Sequence, residues 1–530
     1  MRVAATRPHA VHWPELAPFG TPVPELLSAL ARARGDAPAV VGSEIRCTWG
    51  ELDRRVTAIA MLLKAVGVRE GDVVTVQLPN WVETVASSLA VWRLGAVLNP
   101  VTPIYRGGEL RTIFEMARPA AVLAPETFGD TDYVAMNHRA LSQSGIGATV
   151  LGVPSPPAGL AVDPEAEGLE TEPASADDVS VLMFTSGTTG RPKGVLHSQR
   201  TLVYEAASIA NLCDLHDPRV FMPSPLTHIT GLLYGVLLPI YTGGCVVLQD
   251  RWDPRVAVDL IEGHGCTFSV GATPFLSGLT KEYRKRGHAS GLQIFVCGGA
   301  DVAPAVIEEA EEVMSTVAIR AYGLTELPTL SCGIPSDTLP SRSADDGAVV
   351  GSSNARIADA EGDVEGGVGD LEARGPEMFL GYLDPADNEL AFTADGWFRT
   401  GDMAALRGEK VRIVGRRKDI IVRGGENLSP IEVENELRSL PGIADIAVVG
   451  VPDLDLGERA CAMVVSDGDP PSLAQMRDFL VERQLATQKA PEYLLLCDSL
   501  PRTASGKVQK FLLRQQAADR IAAGDGERRC

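Results

Sequence analysis

At 530 residues the chain is too long for a single hydrophobic core, so two or more domains are expected. With 45% hydrophobic and 22% charged residues it has the composition of an ordinary globular protein, not of a disordered or fibrous one. The formal net charge of −21 argues against nucleic acid or an anionic membrane as a partner, and any anionic ligand must be held by local donors against an unfavourable overall field. Nine cysteines lie singly along the chain with no pair at metal-ligand spacing, the usage of a reduced, intracellular protein. Met1 to Pro24 contain no apolar core of a signal peptide, and the terminal Glu-Arg-Arg-Cys530 is not a prenylation box. The most apolar segment, 231–241, is too short to span a bilayer. A cytoplasmic protein without stable membrane insertion is expected.

In chain order, Val73–Leu78 reads as a strand, Val82–Leu94 as a helix and Ala120–Ala124 as a second strand. Such alternation predicts βαβ units and a mostly parallel sheet. Pro154–Asp178 is rich in Pro, Glu, Ala and Gly and reads as a solvated connection. The apolar run Val179–Phe184 then reads as a buried strand that opens into Thr185-Ser186-Gly187-Thr188-Thr189-Gly190-Arg191-Pro192-Lys193-Gly194. Glycines let successive N–H groups converge, hydroxyls add donors and Lys193 adds charge, which together suit a polyphosphate. This is not a P-loop: Lys193 sits between Pro192 and Gly194 and is not followed by Ser or Thr. A second βα series is expected through Cys245–Leu248, Thr267–Val270, Ile294–Cys297 and the helix Pro304–Met314. Short strands with Gly and Asp turns from 347 to 374 suggest a small β subdomain.

Residues 415–430 read as a junction before a helix, with Ser429 as N-cap, Pro430 at N1 and Glu432 completing a capping box. Strands at Ile446–Val451 and Cys461–Val465 and a helix over Leu473–Gln484 suit a small α+β domain. No internal repeat is present.

Four further stretches carry chemistry. His228, in Pro225-Leu226-Thr227-His228, lies between apolar runs and is either a pocket wall or a structural histidine. Tyr322-Gly323-Leu324-Thr325-Glu326 offers an aromatic face, a hydroxyl and a hard carboxylate within five residues. Thr400-Gly401-Asp402 puts a carboxylate on a tight turn, fit to accept from two ribose hydroxyls or simply a turn. Arg502-Thr503-Ala504-Ser505-Gly506-Lys507 places a lysine on a Gly/Ser loop near the C-terminus.

In this order the stretches resemble the adenylate-forming superfamily of acyl-CoA synthetases, aryl-acid adenylating enzymes and beetle luciferases. The resemblance rests on Thr-Ser-Gly-Thr-Thr-Gly-x-Pro-Lys-Gly at 185–194, Tyr-Gly-x-Thr-Glu at 322–326, Arg-Thr-Gly-Asp at 399–402, Gly-Arg-x-Lys-Asp at 415–419 and the late Gly506-Lys507, and it covers about residues 20–515. It implies an α/β fold: a large N-terminal domain (1–415) of two βα-layered sheets with a small β subdomain, then a small mobile α+β lid (416–530). It also implies a ligase that joins a carboxylic acid to ATP with Mg²⁺, releasing pyrophosphate, and passes the acyl group to coenzyme A.

Carried over by motif, Thr185, Ser186, Gly187, Thr188, Thr189, Gly190 and Lys193 would hold the β- and γ-phosphates. Gly299 and Ala300 would border adenine, Tyr322 would lie against it, Thr325 would meet the α-phosphate, and Glu326 with Thr185 would bind Mg²⁺. Asp402, assisted by Arg416, would take the ribose. Lys507 would bridge carboxylate and α-phosphate. Lys418 matches the hinge, and Arg423, Gly424, Gly425 and Glu426 would approach the pantetheine of coenzyme A. His228, Thr230, Gly231, Val270, Thr273, Gly299 and Gly323 would line the acyl pocket.

That wall is apolar and has no lysine or arginine for a second carboxylate. Aryl-acid enzymes resembling this chain carry Asn directly after the pocket histidine to meet a 2-hydroxyl, whereas Ile229 stands here. The resemblance is to medium-chain and cyclohexanecarboxylate CoA ligases. Two alternatives follow from it: an enzyme loading a phosphopantetheinyl carrier protein, and a catalytically inactive nucleotide binder. Retention of Lys507, Glu326, Asp402 and Arg416 speaks against the second. Whether the chain works alone or as a homodimer is left open.

Overall fold

The computed structural model describes residues 4–6, 13–156, 158, 160, 174–185, 192–299, 302–361, 367–423, 426–453, 456–483, 485–503 and 506–528. The chain builds two large sheets in its N-terminal part and one smaller sheet in its C-terminal domain. The first, six-stranded sheet runs Lys193–Ser198, Val179–Thr185, Val97–Pro100, Val73–Val76, Ala121–Pro125, Thr149–Val153. All neighbours in it are parallel except the first pair, an antiparallel hairpin whose connection is the Gly/Thr-rich loop. Its strands are continuous apolar runs because both faces are covered. The helix Val82–Arg93 behind it is buried almost all round, and its Glu83 is neutralised by Arg55 at 2.5 Å.

The second sheet is thirteen-stranded. Its parallel part has the spatial order Pro38–Val41, Cys245–Leu248, Arg219–Met222, Phe268–Gly271, Ile294–Gly298, Val317–Tyr322. After Cys245–Leu248 the chain crosses back over Arg219–Met222 to place Phe268–Gly271 on its other side. This makes a topological switch, and a crevice opens beyond the carboxyl ends of the strands there. Phe221, Phe268 and Phe295 lie on this sheet and are fully buried.

Antiparallel strands at Asn354–Glu361, Val368–Arg374, Phe398–Arg407 and Lys410–Arg416 correspond to the expected β subdomain. They do not form a separate sheet. Short strands Ser331–Cys332 and Ala348–Val349 bridge them to the parallel part, so hydrogen bonding is continuous. Two local expectations also change. Thr400-Gly401-Asp402 is not a tight turn: it lies inside the strand Phe398–Arg407, where the register shifts and Gly401 adopts φ +75°. It is a bulge that only glycine fits easily. Ser429 does cap its helix, its Oγ accepting from the Glu432 N–H at 3.3 Å. The reciprocal bond of a capping box is not made, because Glu432 pairs with Lys489 at 2.6 Å.

The large sheet ends at Arg416 and the C-terminal sheet begins at Ile421. The latter pairs Glu426–Leu428, Ile421–Arg423, Gly457–Val465, Tyr493–Leu496 and Glu527–Arg528, with Asp445–Asp453 also on Gly457–Val465. Helices Pro430–Leu437, Leu473–Glu482 and Lys510–Ala522 accompany it. Among the described residues no helix is long and apolar enough to cross a membrane.

Candidate active site

The carboxyl ends of adjacent parallel strands deliver most of the candidate residues to one crevice. Met222 leads to His228, Gly271 to Thr273, Gly298 to Gly299, and Tyr322 ends its own strand. This is where open α/β sheets bind ligands.

On one side of the crevice stands a carboxylate with two donors. The Tyr322 hydroxyl donates to Asp402 Oδ2 at 2.6 Å, and Arg416 Nε lies 3.3 Å from Oδ1. Strand register sets this up, for Asp402 and Arg416 are direct partners across the ladder. The bulge at Gly401 turns Asp402 inward, and its N–H donates to Thr400 Oγ1 at 3.1 Å. Burial, then Asp402, push the Tyr322 phenol well above its ordinary pKa, so it stays a donor.

Opposite lie the ends of the Gly/Thr-rich loop. Thr185 and Lys193 face each other in register; Ser186, Gly187, Thr188, Thr189 and Gly190 fall outside the described residues, as does Ala300. Lys193 Nζ sits 3.4 Å from Asp387 Oδ1 and 4.6 Å from the centre of the Tyr382 ring. Tyr382 in turn donates to Glu326 Oε1 at 2.7 Å, and the Phe379 N–H holds the Glu326 carbonyl at 2.8 Å. Thr325 is fixed by His197, whose Nε2 meets the Thr325 carbonyl at 2.7 Å and must therefore carry the proton. Burial lowers the His197 pKa to about 4, so it is neutral.

The third part comes from the C-terminal domain. The Thr503–Lys507 loop closes on itself, Thr503 N–H to the Lys507 carbonyl at 2.7 Å, and docks where the helix Thr273–Arg286 begins. A Cβ on Gly506 would stand 3.3 Å from Pro274 Cγ, so glycine there permits the close approach. Lys507 thereby enters the crevice. Its pKa falls to about 8 because of burial and Arg416, with Asp402 and Glu326 acting the other way. The His228 ring falls to about 4 through burial and the neighbouring Lys507 charge. His228 also caps a short helical turn, accepting from the Thr230 N–H at 3.4 Å.

The remaining pocket residues divide. Val270 is buried and Thr230 and Thr273 are half-buried. A Cβ on Gly231 would fall 2.0 Å from the Pro225 carbonyl oxygen, and one on Gly323 1.7 Å from that of Pro328. Backbone packing alone demands glycine at those two positions, whereas Gly299 (φ +75°) borders open space. Away from the crevice, Arg423 is clamped by both oxygens of Glu492, at 2.9 and 2.8 Å. Gly424 and Gly425 lie outside the described residues, and Glu426 pairs with Arg423 through its backbone. Lys418 is on the one-turn 3₁₀ helix Arg417–Asp419 between the sheets.

A carboxylate flanked by donors, a hydroxyl- and glycine-rich loop with a lysine, and a second lysine arriving from another domain match residue patterns found in known proteins. Residues 27–383 match the AMP-binding enzyme family and residues 432–507 match the AMP-binding enzyme C-terminal domain. The chain belongs to the AMP-binding enzyme family. It is 34% identical over 507 residues to a medium-chain fatty-acid–CoA ligase of Escherichia coli (strain K12), covering 93% of this chain and 89% of that one. It is 33% identical to a salicylyl-CoA synthase / salicylate adenylyltransferase of Streptomyces sp, covering 93% of each. The structure of ATP-bound MatB from Rhodopseudomonas palustris superposes with a TM-score of 0.83 at 27% identity, covering 94% of this chain and 99% of that one. This AMP-binding enzyme is therefore an AMP-forming acid–thiol ligase, which adenylates an acid with ATP and uses coenzyme A as co-substrate.

Sequence reasoning missed His197, Tyr382 and Asp387. Each serves a motif residue from a distance, His197 128 positions from Thr325 and Tyr382 56 from Glu326. The signal for His197 was a polar residue directly after the apolar run Gly194–Leu196.

Proposed function

We propose that this ligase activates a medium-chain or alicyclic carboxylic acid and transfers it to coenzyme A. The arrangement of Lys507 carries the reading: a cation on a docked C-terminal loop, facing Arg416, Asp402, Glu326 and His228 across one crevice. The acid's oxygen attacks the α-phosphorus of ATP, an O–P bond forms, the bond to the β-phosphate breaks and pyrophosphate leaves. Two anions meet in that step, and Lys507 neutralises the charge that builds. Asp402 takes the ribose hydroxyls with Arg416 beside it, and Tyr322 backs both its own carboxylate partner and the adenine. Thr325 meets the α-phosphate, held in place by His197. The loop from Thr185 to Lys193 holds the leaving phosphates.

Among the described residues no cluster of three or more His, Cys, Asp or Glu forms a self-contained metal site. A magnesium ion that takes most of its ligands from water and phosphate needs only one or two protein oxygens, and buried Glu326 with Thr185 fits that need. Bound there, the ion would neutralise phosphate charge.

The second step needs a thiol where Lys507 stands. We place the domain boundary at 415/416 and the pivot at Lys418, so that rotation withdraws Lys507 and brings Arg423, Gly424, Gly425 and Glu426 toward the pantetheine.

For the acid, Val270 and the buried Ile229 offer apolar contact. His228, kept uncharged, supplies no cation for a second carboxylate. A relative from Rhodococcus jostii (strain RHA1), 33% identical over 94% of this chain, is named for a bicyclic indenyl-propanoate. The test is release of AMP from purified enzyme across aliphatic, alicyclic and aromatic acids, with coenzyme A or a phosphopantetheinyl carrier as acceptor. Highest turnover on medium-chain or alicyclic acids with coenzyme A is expected. A preference for hydroxybenzoates, or for the carrier, would overturn the assignment.

A further inference from the structure

Behind the crevice three buried side chains from three elements meet. The Tyr234 hydroxyl donates to Glu205 Oε1 at 2.6 Å and lies 2.7 Å from Thr329 Oγ1. All three are nearly inaccessible, at 1%, 4% and 5% exposure for Glu205, Tyr234 and Thr329. Each segment also adjoins a residue of the site. Glu205 is on the helix Gln199–Leu212, which starts just after His197. Tyr234 is in the π-helical turn Leu232–Leu237, which continues the turn capped by His228. Thr329 lies three residues beyond Glu326. A π-turn widens the helix locally, is rare, and frequently occurs at functional sites.

The surroundings of Glu205 hold no compensating cation among the described residues. The titratable groups facing it are Tyr234, Cys332 and Glu377. Glu377 is itself buried: Ser353 Oγ donates to its Oε1 at 2.5 Å, and its Oε2 has no partner. Two buried carboxyls near one another do not both ionise readily. Burial raises the Glu205 carboxyl to about 7, against the hydrogen bonds from Thr329 and Tyr234, and burial followed by Glu205 raises Glu377 to about 8.

We propose that Glu205 is a positioning residue: acting through Tyr234 and Thr329, its neutral carboxyl fixes the His228 turn relative to the Thr325–Glu326 turn, and its ionisation loosens that geometry. The inference rests on the adenylation reading above, because those two turns present the acid pocket and the α-phosphate contact. An ionised Glu205 would face Glu377 without a cation, which favours displacement of the Tyr234 ring or entry of water.

The test compares wild type with Glu205→Gln, which keeps shape and hydrogen bonding but cannot ionise, in acid-dependent pyrophosphate exchange from pH 6 to 9. The ratio of variant to wild-type kcat should rise about 5- to 10-fold between pH 6 and pH 8, as expected when one group titrates near 7. Titration of Lys507 occurs in both proteins and cancels in the ratio. Tyr234→Phe should lower kcat about 10-fold at pH 6 while leaving the ATP KM within about twofold. A ratio independent of pH, or a Tyr234→Phe loss confined to KM, would overturn the proposal. Thermal unfolding gives a readout that needs no activity. A carboxyl raised in the folded state contributes stability that is complete below its unfolded pKa and is lost as pH rises through about 7. The Tm of Glu205→Gln should therefore fall less than that of wild type between pH 5 and 8, and parallel Tm profiles would refute ionisation of Glu205 in the fold. Wild-type enzyme inert toward every acid would instead overturn the functional reading, with the Tm comparison still deciding this one.

Discussion

Replacing Lys507 by alanine removes the cation that the C-terminal loop brings to the crevice. Its charge faces Asp402 and Glu326, with Arg416 as a neighbouring like charge. A unit charge about 4 Å from the reacting phosphate, at an effective dielectric constant of about 20, is worth about 4 kcal/mol. Part of that attraction already acts on bound ATP and acid before reaction, and Arg416 persists in the variant. About 3 kcal/mol specific to the transition state remains, which corresponds to roughly 10²-fold in rate. Acid-dependent exchange of labelled pyrophosphate into ATP measures this step alone, and ATP affinity by calorimetry should stay within about threefold. Exchange at the wild-type rate in Lys507→Ala would refute the assignment. The pH profile gives a second check. The ammonium is held at about 8 in the empty enzyme, so the needed charge is present below that value and lost above it. Wild-type exchange should decline above about pH 8, and the residual rate of the alanine variant should lack that limb.

Tyr322→Phe deletes the donor to Asp402 Oδ2 and leaves the carboxylate aligned by Arg416 alone. A hydrogen bond to a charged group contributes about 1.5–3 kcal/mol, so the ATP KM should rise about 10-fold with kcat little altered; a fall in kcat at constant KM would contradict the role. Lys418→Pro locks φ near −65° at the proposed pivot. Pyrophosphate exchange should stay within about threefold while thioester formation, followed as acyl-CoA, falls more than 10-fold, and equal losses in both steps would exclude a pivot at 418.

The parallel strands were legible because they are buried on both faces and so read as unbroken apolar runs, Val73–Val76 and Ile294–Gly298 among them. The helix Pro304–Met314 was legible to the residue, with proline marking its first turn. What failed depended on partners far along the chain. A single glycine among polar residues suits a tight turn or a bulge equally, and only pairing with Val368–Arg374, where the register shifts, makes Gly401 a bulge. Glu432 had the right spacing to complete a capping box, but Lys489, 57 residues on, takes its carboxylate. The β subdomain looked separate because the two-residue strands that join it to the parallel sheet, Ser331–Cys332 and Ala348–Val349, are too short to leave a pattern. The same holds in the site. Motif residues announce themselves locally, whereas His197, Tyr382, Asp387 and the Glu205–Tyr234 pair act through tertiary contacts.

The pairing of cations in this structure bears on how so acidic a protein binds ATP. Lys193 rests on Asp387, Arg416 on Asp402 and Arg423 on Glu492, so these three cations each already have a carboxylate of their own. Polyphosphate binding is then largely an exchange of anionic partners, and little net long-range attraction is left to draw ATP in. The overall charge of −21 acts the other way at distance. Screening shortens that repulsion from a range of about 30 Å at 0.01 M salt to about 8 Å at 0.15 M, while contacts within the closed crevice are screened much less. Consequently kcat/KM for ATP should rise by a small factor, about two to three, over that range of ionic strength at constant free magnesium. A cleft that attracts ATP by its net field would show the reverse. A steep fall of kcat/KM with added salt would mean that Lys193 and Arg416 act as unpaired steering charges in solution, and that the carboxylate pairing is not kept in the free enzyme.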